Sequence, residues 1–293
     1  MIPPRIVLAA VDFSESSRSA LVFAARLAKH AGARLHVVHA QDPLLASAAR
    51  SAGIDIDAEA RAELSTFMQS APPAGEWSPF HEVAEGQAAD VVCDIADREN
   101  ADVIVVGAHG MSGIGRALFG STTEDLLRKA DHSVVVVPDA WTPPRQDTND
   151  LSGVGPIVVG VESAPPALAA AHAGRELAAL LGTGLELRHV VPPPSVLARW
   201  SAHADVAQQQ RLNEAREQLA SSPLRDLAPG AVQIATGAVA EQLADAVRVT
   251  GNRRPLLVIG RRTHRERGDA PGHIAIRVLA LTDAPVLMYL PDR

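Results

Sequence analysis

Val103-Ile104-Val105-Val106-Gly107-Ala108-His109-Gly110-Met111-Ser112-Gly113-Ile114-Gly115-Arg116-Ala117-Leu118-Phe119-Gly120-Ser121-Thr122 runs from four apolar residues through a loop of spaced glycines onto a helical pattern. Four consecutive β-branched residues predict a strand buried on both faces. Without Cβ atoms, the glycines let backbone N–H groups approach anionic oxygens, and the positive end of a helix starting near Ser121 favours negative charge. A phosphate chain is therefore expected at this turn.

The same order of elements extends along the chain. Residues 6–11 form a first apolar run, and Ser14 is the expected N-cap of a helix reaching about residue 31. A second strand at 35–40 leads into a long connection that carries a helix near 57–70. A short strand at 80–83, a helix at 88–98, the strand at 103–106, a helix at 122–130 and a strand at 134–137 follow, closed by Pro138. Strands alternating with helices, and strands that are nearly continuous Val, Ile and Leu, predict a parallel sheet covered on both sides. Residues 139–154 lose this periodicity, collect turn formers and read as a linker.

Beyond the linker the pattern starts again, with strands at 157–161, 185–191, 232–235, 256–259 and 286–290. Helices are expected near 165–181, 203–221, 239–249 and 273–281. Gly32 and Gly182 are 150 residues apart, as are His39 and His189; Gly86 pairs with Gly237, Gly107 with Gly260 and Gly120 with Gly272 at slightly larger offsets. The chain thus reads as a tandem duplication: 1–138, a linker at 139–154, and a degenerate copy at 155–293. The fold class is α/β, two tandem doubly wound five-stranded parallel-sheet domains of Rossmann-like type.

Composition narrows the partners. Of 293 residues 47% are hydrophobic and 21% charged, with a formal net charge of -7 and nine aromatics (Phe 5, Trp 3, Tyr 1). An acidic chain with few stacking platforms argues against nucleic acid. No apolar stretch has the length of a membrane span, and no targeting signal stands out at the N-terminus, so a cytoplasmic protein is expected. The single cysteine, Cys93, lies in a helical pattern and reads as a small core residue.

In an open parallel sheet, ligands sit at the carboxyl ends of the strands where the winding reverses. Asp12 follows the first strand and Gly107 the fourth. If these strands are neighbours, a carboxylate suited to a ribose hydroxyl or metal-bound water faces a glycine loop suited to phosphates; a turn or cap role for Asp12 is the alternative. There is no G-x-x-x-x-G-K-[ST], and no G-x-G-x-x-G after the first strand. The pattern present is G-x2-G-x9-G-[ST], through Gly107, Gly110, Gly120 and Ser121.

Together with Val11-Asp12-Phe13-Ser14 and His132-Ser133-Val134-Val135-Val136-Val137-Pro138, this motif resembles the nucleotide-binding branch of the universal stress protein family. The resemblance covers both halves, and the full motif occurs in the first. It implies an ATP-binding fold of the adenine-nucleotide α-hydrolase-like kind. Carried over, the backbone of Val11 and Ala40 and the side chain of Asp12 would hold adenine and ribose, with Ala10 lining that pocket. Gly107, Gly110, Gly120, Ser121 and Thr122 would hold the phosphates, with Mg2+ bridging them. Family members pair through the last strand. An intrachain pairing of the halves and a homodimer are therefore expected, the last strands being read as sheet edges.

In the second copy Gly110 becomes Thr263, Ser121 becomes His273 and Asp12 becomes Glu162, and the loop carries the run Arg261-Arg262-Thr263-His264-Arg265-Glu266-Arg267. Little or no nucleotide binding is expected there, with the arginines as a solvated face. His109 reads equally as a phosphate contact or an exposed loop residue, and His132 as a helix terminator. His36 and His39, three apart on a strand, face opposite ways and do not share a metal. Glu124 and Asp125 read as helix-dipole partners rather than bases, and Arg116 as a phosphate contact or a solvated side chain. The expectation is a stress-response or regulatory binding protein with at most slow hydrolysis and no catalytic residue assigned. An ATPase or nucleotidyl-transferring enzyme and a non-liganded interaction module stay open.

Overall fold

The computed structural model describes residues 3–69, 79–109, 120–139, 141–143, 150–162, 165–194, 204–227, 232–261 and 273–291. In the first half, strand β1 (Ile6–Val11) leads to helix α1 (Glu15–Ala31), β2 (Arg34–Gln41), α2 (Pro43–Ser51) and α3 (Ile56–Gln69). Then come β3 (Phe80–Glu85), α4 (Ala88–Glu99), β4 (Val103–Gly107), α5 (Ser121–Lys129) and β5 (Ser133–Val137). The second half runs β6 (Ile157–Gly160), α6 (Pro165–Leu181), β7 (Leu185–Val191), α7 (Ala204–Ala220) and α8 (Leu224–Leu227). It closes with β8 (Val232–Thr236), α9 (Val239–Ala246), β9 (Leu256–Gly260), α10 (His273–Leu281) and β10 (Val286–Tyr289).

Caps fix the helix ends where the sequence signals them. Ser14 accepts from the N–H of Ser17 at the start of α1, and Gly32 ends that helix at φ 66°, a left-handed conformation that glycine adopts without strain. Its counterpart Gly182 does the same at φ 62° after α6. Two helices are absent from the sequence reading, the four-residue α8 and, in the first half, α2. The long connection after β2 contains α2, capped by Asp42, whose side chain accepts from the N–H groups of Leu44 and Leu45, with Pro43 in the first turn. Its buried side are two alanines, Ala46 and Ala49, while Leu44 is 81% exposed, so the apolar period that marks a buried helix is missing.

The strands form one ten-stranded sheet in the order β3-β2-β1-β4-β5-β10-β9-β6-β7-β8. Neighbours within each half are parallel, and β1 lies beside β4. The halves meet where β5 and β10 pair antiparallel, Val135 opposite Leu287. Reading these last strands as edges is therefore corrected: they are interior, each satisfying the other's backbone groups, and the edges are β3 and β8.

Each face of the sheet carries a core that crosses the junction. Val7, Val105 and Val135 pack on one side with α1, α6 and Ile157; Leu8, Ile104 and Val134 pack on the other with α4, α5, α9 and Leu257. Three described residues of the 139–154 stretch belong to the first of these cores. Trp141, Leu151 and Val154 are buried in it, and Trp141 meets Phe23 of α1 edge to face at 5.1 Å. Arg26, 2% exposed, donates through Nη1 to the carbonyl of Asp150. Turn-forming residues hid this anchoring, because three scattered apolar side chains make no period. Cys93 packs against the second core, where burial and the nearby Asp97, Asp90 and Asp94 push its thiol up to about 11, leaving it neutral.

Candidate functional site

β1 and β4 are the neighbours at which the order of winding reverses, so a crevice opens beyond their carboxyl ends. A cleft of about 240 Å³ occupies this place. Eight of the nine residues singled out in the sequence line it: Ala10, Val11, Asp12, Ala40, Gly107, Gly120, Ser121 and Thr122. Gly110 and the rest of the loop to Phe119 lie outside the described residues.

The cleft has an apolar floor and a polar rim. Ala10 and Val106 project from the strand face opposite α1, where Val38, Ala40, Ala88 and Val92 join them. Asp12, Ser17, His109, Ser121 and Thr122 supply the polar side. Sequence reasoning passed over the apolar Val38, Ala88, Val92 and Val106 and the polar Ser17 and Thr123. Thr123, 2% exposed, donates from Oγ1 to the carbonyl of Gly107 at 2.8 Å and so ties the start of α5 to the end of β4. Its signal was its place directly after Ser121 and Thr122.

Asp12 has a structural part as well as a place on the rim. Its Oδ1 accepts from Ser14 N–H at 3.1 Å and Ser14 Oγ at 2.6 Å, closing the turn that starts α1. Val11's carbonyl accepts from His39 Nδ1 at 2.9 Å, an arrangement repeated between His189 and Val161 in the second half. The cap of α5 is Gly120, which has no side chain to satisfy the first N–H groups of the helix. Those donors and the positive helix end face the rim at Ser121 and Thr122.

Gly107 answers to a different constraint. A Cβ there would stand 2.4 Å from Ser16 Oγ and 2.8 Å from the Ser16 carbonyl carbon; at Gly260 it would stand 2.2 Å from the Pro166 carbonyl oxygen. Both glycines let the first turn of the helix that follows the neighbouring strand, α1 after β1 or α6 after β6, lie against the strand end. This explains why the pair survives in a copy that has lost other motif residues.

The second crevice is built differently. Leu243 lies 3.2 Å from where a Cβ on Gly160 would be, and Arg188 stands at the position of Val38. Arg261, expected among solvated arginines, is buried and donates to the carbonyl of Ala130, the residue that caps the end of α5. The remaining residues of that loop lie outside the described ones. Asp125 pairs with Arg128 one turn along α5, and His132 Nε2 lies 3.6 Å from Asp97 of α4. Among the described residues no group of three or more His, Cys, Asp or Glu side chains converges on a metal position, and no helix is long and apolar enough to cross a membrane.

Comparisons with known proteins agree with this architecture. A model of the universal stress protein family matches residues 4–138. The chain is 30% identical over 139 residues to universal stress protein A homolog 1 of Coxiella burnetii, covering 45% of this chain and 94% of that protein. It is 38% identical over 66 residues to universal stress protein MJ0531 of Methanocaldococcus jannaschii, a match covering 22% of this chain and 39% of that protein. A universal stress protein structure from Archaeoglobus fulgidus superposes with a TM-score of 0.61 at 17% identity, covering 97% of each chain, which establishes a common fold for both halves. With near-complete coverage of a relative at this identity, the chain belongs to the universal stress protein family.

Proposed function

We propose that the first-half cleft binds ATP, and that the protein acts as a nucleotide-dependent stress-response or regulatory protein. The observation that carries this reading is the meeting of an apolar slot, a carboxylate and an uncapped helix N-terminus in one crevice. Adenine fits the slot walled by Ala10, Val38, Ala40 and Val92, within reach of the backbone of Val11 and Ala40, and Asp12 stands where a ribose hydroxyl would lie. At about 240 Å³ the cleft is near the small end of ligand sites, so the phosphates extend over the rim toward Gly120, Ser121 and Thr122. Gly107 supports this region by packing, and Gly110 completes the glycine pattern. Mg2+ would neutralise phosphate charge, with Asp12, Ser121 and Thr122 as the oxygen-bearing side chains on that rim.

The cleft wall carries two ionisable side chains among the described residues, Asp12 and His109. With Asp12 engaged by Ser14 and Asp125 by Arg128, binding with at most slow hydrolysis is the reading these contacts favour. We take residues 1–138 as the nucleotide unit, 139–154 as the connection and 155–293 as a degenerate unit that packs against it. A cytoplasmic location accords with one neutral cysteine. A homodimer would have to use a surface other than β5 and β10.

Calorimetric titration of the whole chain with Mg-ATP tests the proposal. One site per chain with micromolar affinity, about 8 kcal/mol, is expected, weakened at least about tenfold in Gly120→Val, whose branched side chain stands at the helix start. No heat at millimolar ATP, together with no nucleotide released on denaturing the purified protein, would overturn it.

A further inference from the structure

Arg261, the first residue after β9, belongs to the half that has lost most of the motif, yet its side chain ends in the other half. It is 6% exposed and donates through Nη2 to the carbonyl of Ala130, at the end of α5. The antiparallel seam brings the two together. Ser133, at the start of β5, lies beside the far end of β10, its Oγ donating to the carbonyl of Leu290 at 3.2 Å and accepting from the N–H of that residue at 3.0 Å. One strand further on, the N–H of Arg261 donates to the carbonyl of Tyr289 at 2.8 Å. The tie has no reciprocal at the matching place. Ala108, which follows Gly107 as Arg261 follows Gly260, is buried and carries only a methyl group. Thr282, the counterpart of Ala130 at the offset that separates Gly120 from Gly272, closes its own turn by accepting from the N–H of Ala284 at 3.1 Å.

A guanidinium on the last carbonyls of a helix satisfies an acceptor that the helix leaves open and complements its negative end. Helix α5 has nine residues, a rod of about 13 Å, and its other end supplies Ser121 and Thr122 to the cleft rim. Thr123 fixes the start through the carbonyl of Gly107, Leu126 and Leu127 seat the middle in the core, and Arg261 fixes the end. Holding both ends removes motion that a ligand would otherwise have to arrest, and a site ordered beforehand gains affinity. We propose that Arg261 is a positioning residue of the first-half cleft: by fixing the end of α5 it sets the placement of the helix start, so that the degenerate half tunes affinity for a phosphate-bearing ligand at a site it does not line. The inference rests on the nucleotide reading above and adds to it a role for the second half beyond packing.

Calorimetry on the full chain, with Mg-ATP and adenosine as separate titrants, tests it in two variants. Arg261→Met keeps a long buried side chain without a donor, and Arg261→Lys keeps a cation that can reach the carbonyl. In Arg261→Met, ATP binding weakens about five- to tenfold. Adenosine affinity is unchanged, because its slot is walled by Ala10, Val38, Ala40 and Val92, none of them on α5. Arg261→Lys restores ATP affinity to within about twofold of wild type. Without nucleotide, amide exchange across residues 121–129 is faster in Arg261→Met than in the other two proteins. Unchanged ATP affinity and exchange in Arg261→Met, an equal loss of ATP and adenosine binding, or no rescue by lysine overturns this inference and leaves the nucleotide reading standing. Absence of binding by both titrants to the wild type overturns both.

Discussion

Gly107 shows how one residue answers to two demands that a motif does not separate. Its place in G-x2-G-x9-G-[ST] points to phosphate, whereas its surroundings require the absence of Cβ because the backbone of Ser16 lies where that atom would be. Gly260 meets the same constraint from Pro166. Since the obstructing atoms include main chain, side-chain rotation does not relieve them. Gly107→Ala and Gly260→Ala are each expected to lower the unfolding free energy by about 1–3 kcal/mol, measured by urea denaturation. A neutral result at Gly260 would mean that the glycine pair is not kept by packing. Asp12 was readable as a site candidate and as a turn residue, and its contacts with Ser14 show the turn role while leaving it on the rim.

At the scale of elements, α5 matters most, because its uncapped start forms the rim while Leu126 and Leu127 pack it into the core and a side-chain bond ties it at each end. Thr123 bonds the carbonyl of Gly107 at one end, and Arg261 from the second half bonds the carbonyl of Ala130 at the other. Thr123→Val keeps the shape but leaves a buried carbonyl without that donor. A loss of about 1–2 kcal/mol in denaturant unfolding is expected, and an unchanged midpoint would show that α5 is held otherwise. Strands and most helices were legible because their signals are local: β-branched runs for β1, β4 and β5, Ser14 and Gly32 at the ends of α1. Helix α2 was not, since alanines face inward while Leu44 and Leu45 face out, although Asp42-Pro43 marked its start.

At the scale of the whole molecule, the antiparallel pairing of β5 with β10 lets both cores run across the junction, with Trp141, Leu151 and Val154 buried in one of them. A protease site engineered between residues 144 and 149 and then cut is expected to leave the two fragments together at the mass of the intact chain on size exclusion. Separation into halves without denaturant would show that the connection, rather than the sheet, joins them. The chain itself determined the alternation of strands and helices, the duplication and the glycine spacing, because each is written in residues close in sequence or recurring at a steady interval. Tertiary structure decided the neighbourhood of β1 and β4, the burial of Trp141, Leu151 and Val154 from the connecting stretch, and the conversion of two apolar strands from edges into a seam. Those outcomes depend on which distant segments, such as Val135 and Leu287, satisfy one another's hydrogen bonds and exclude water together, and no local pattern specifies that choice.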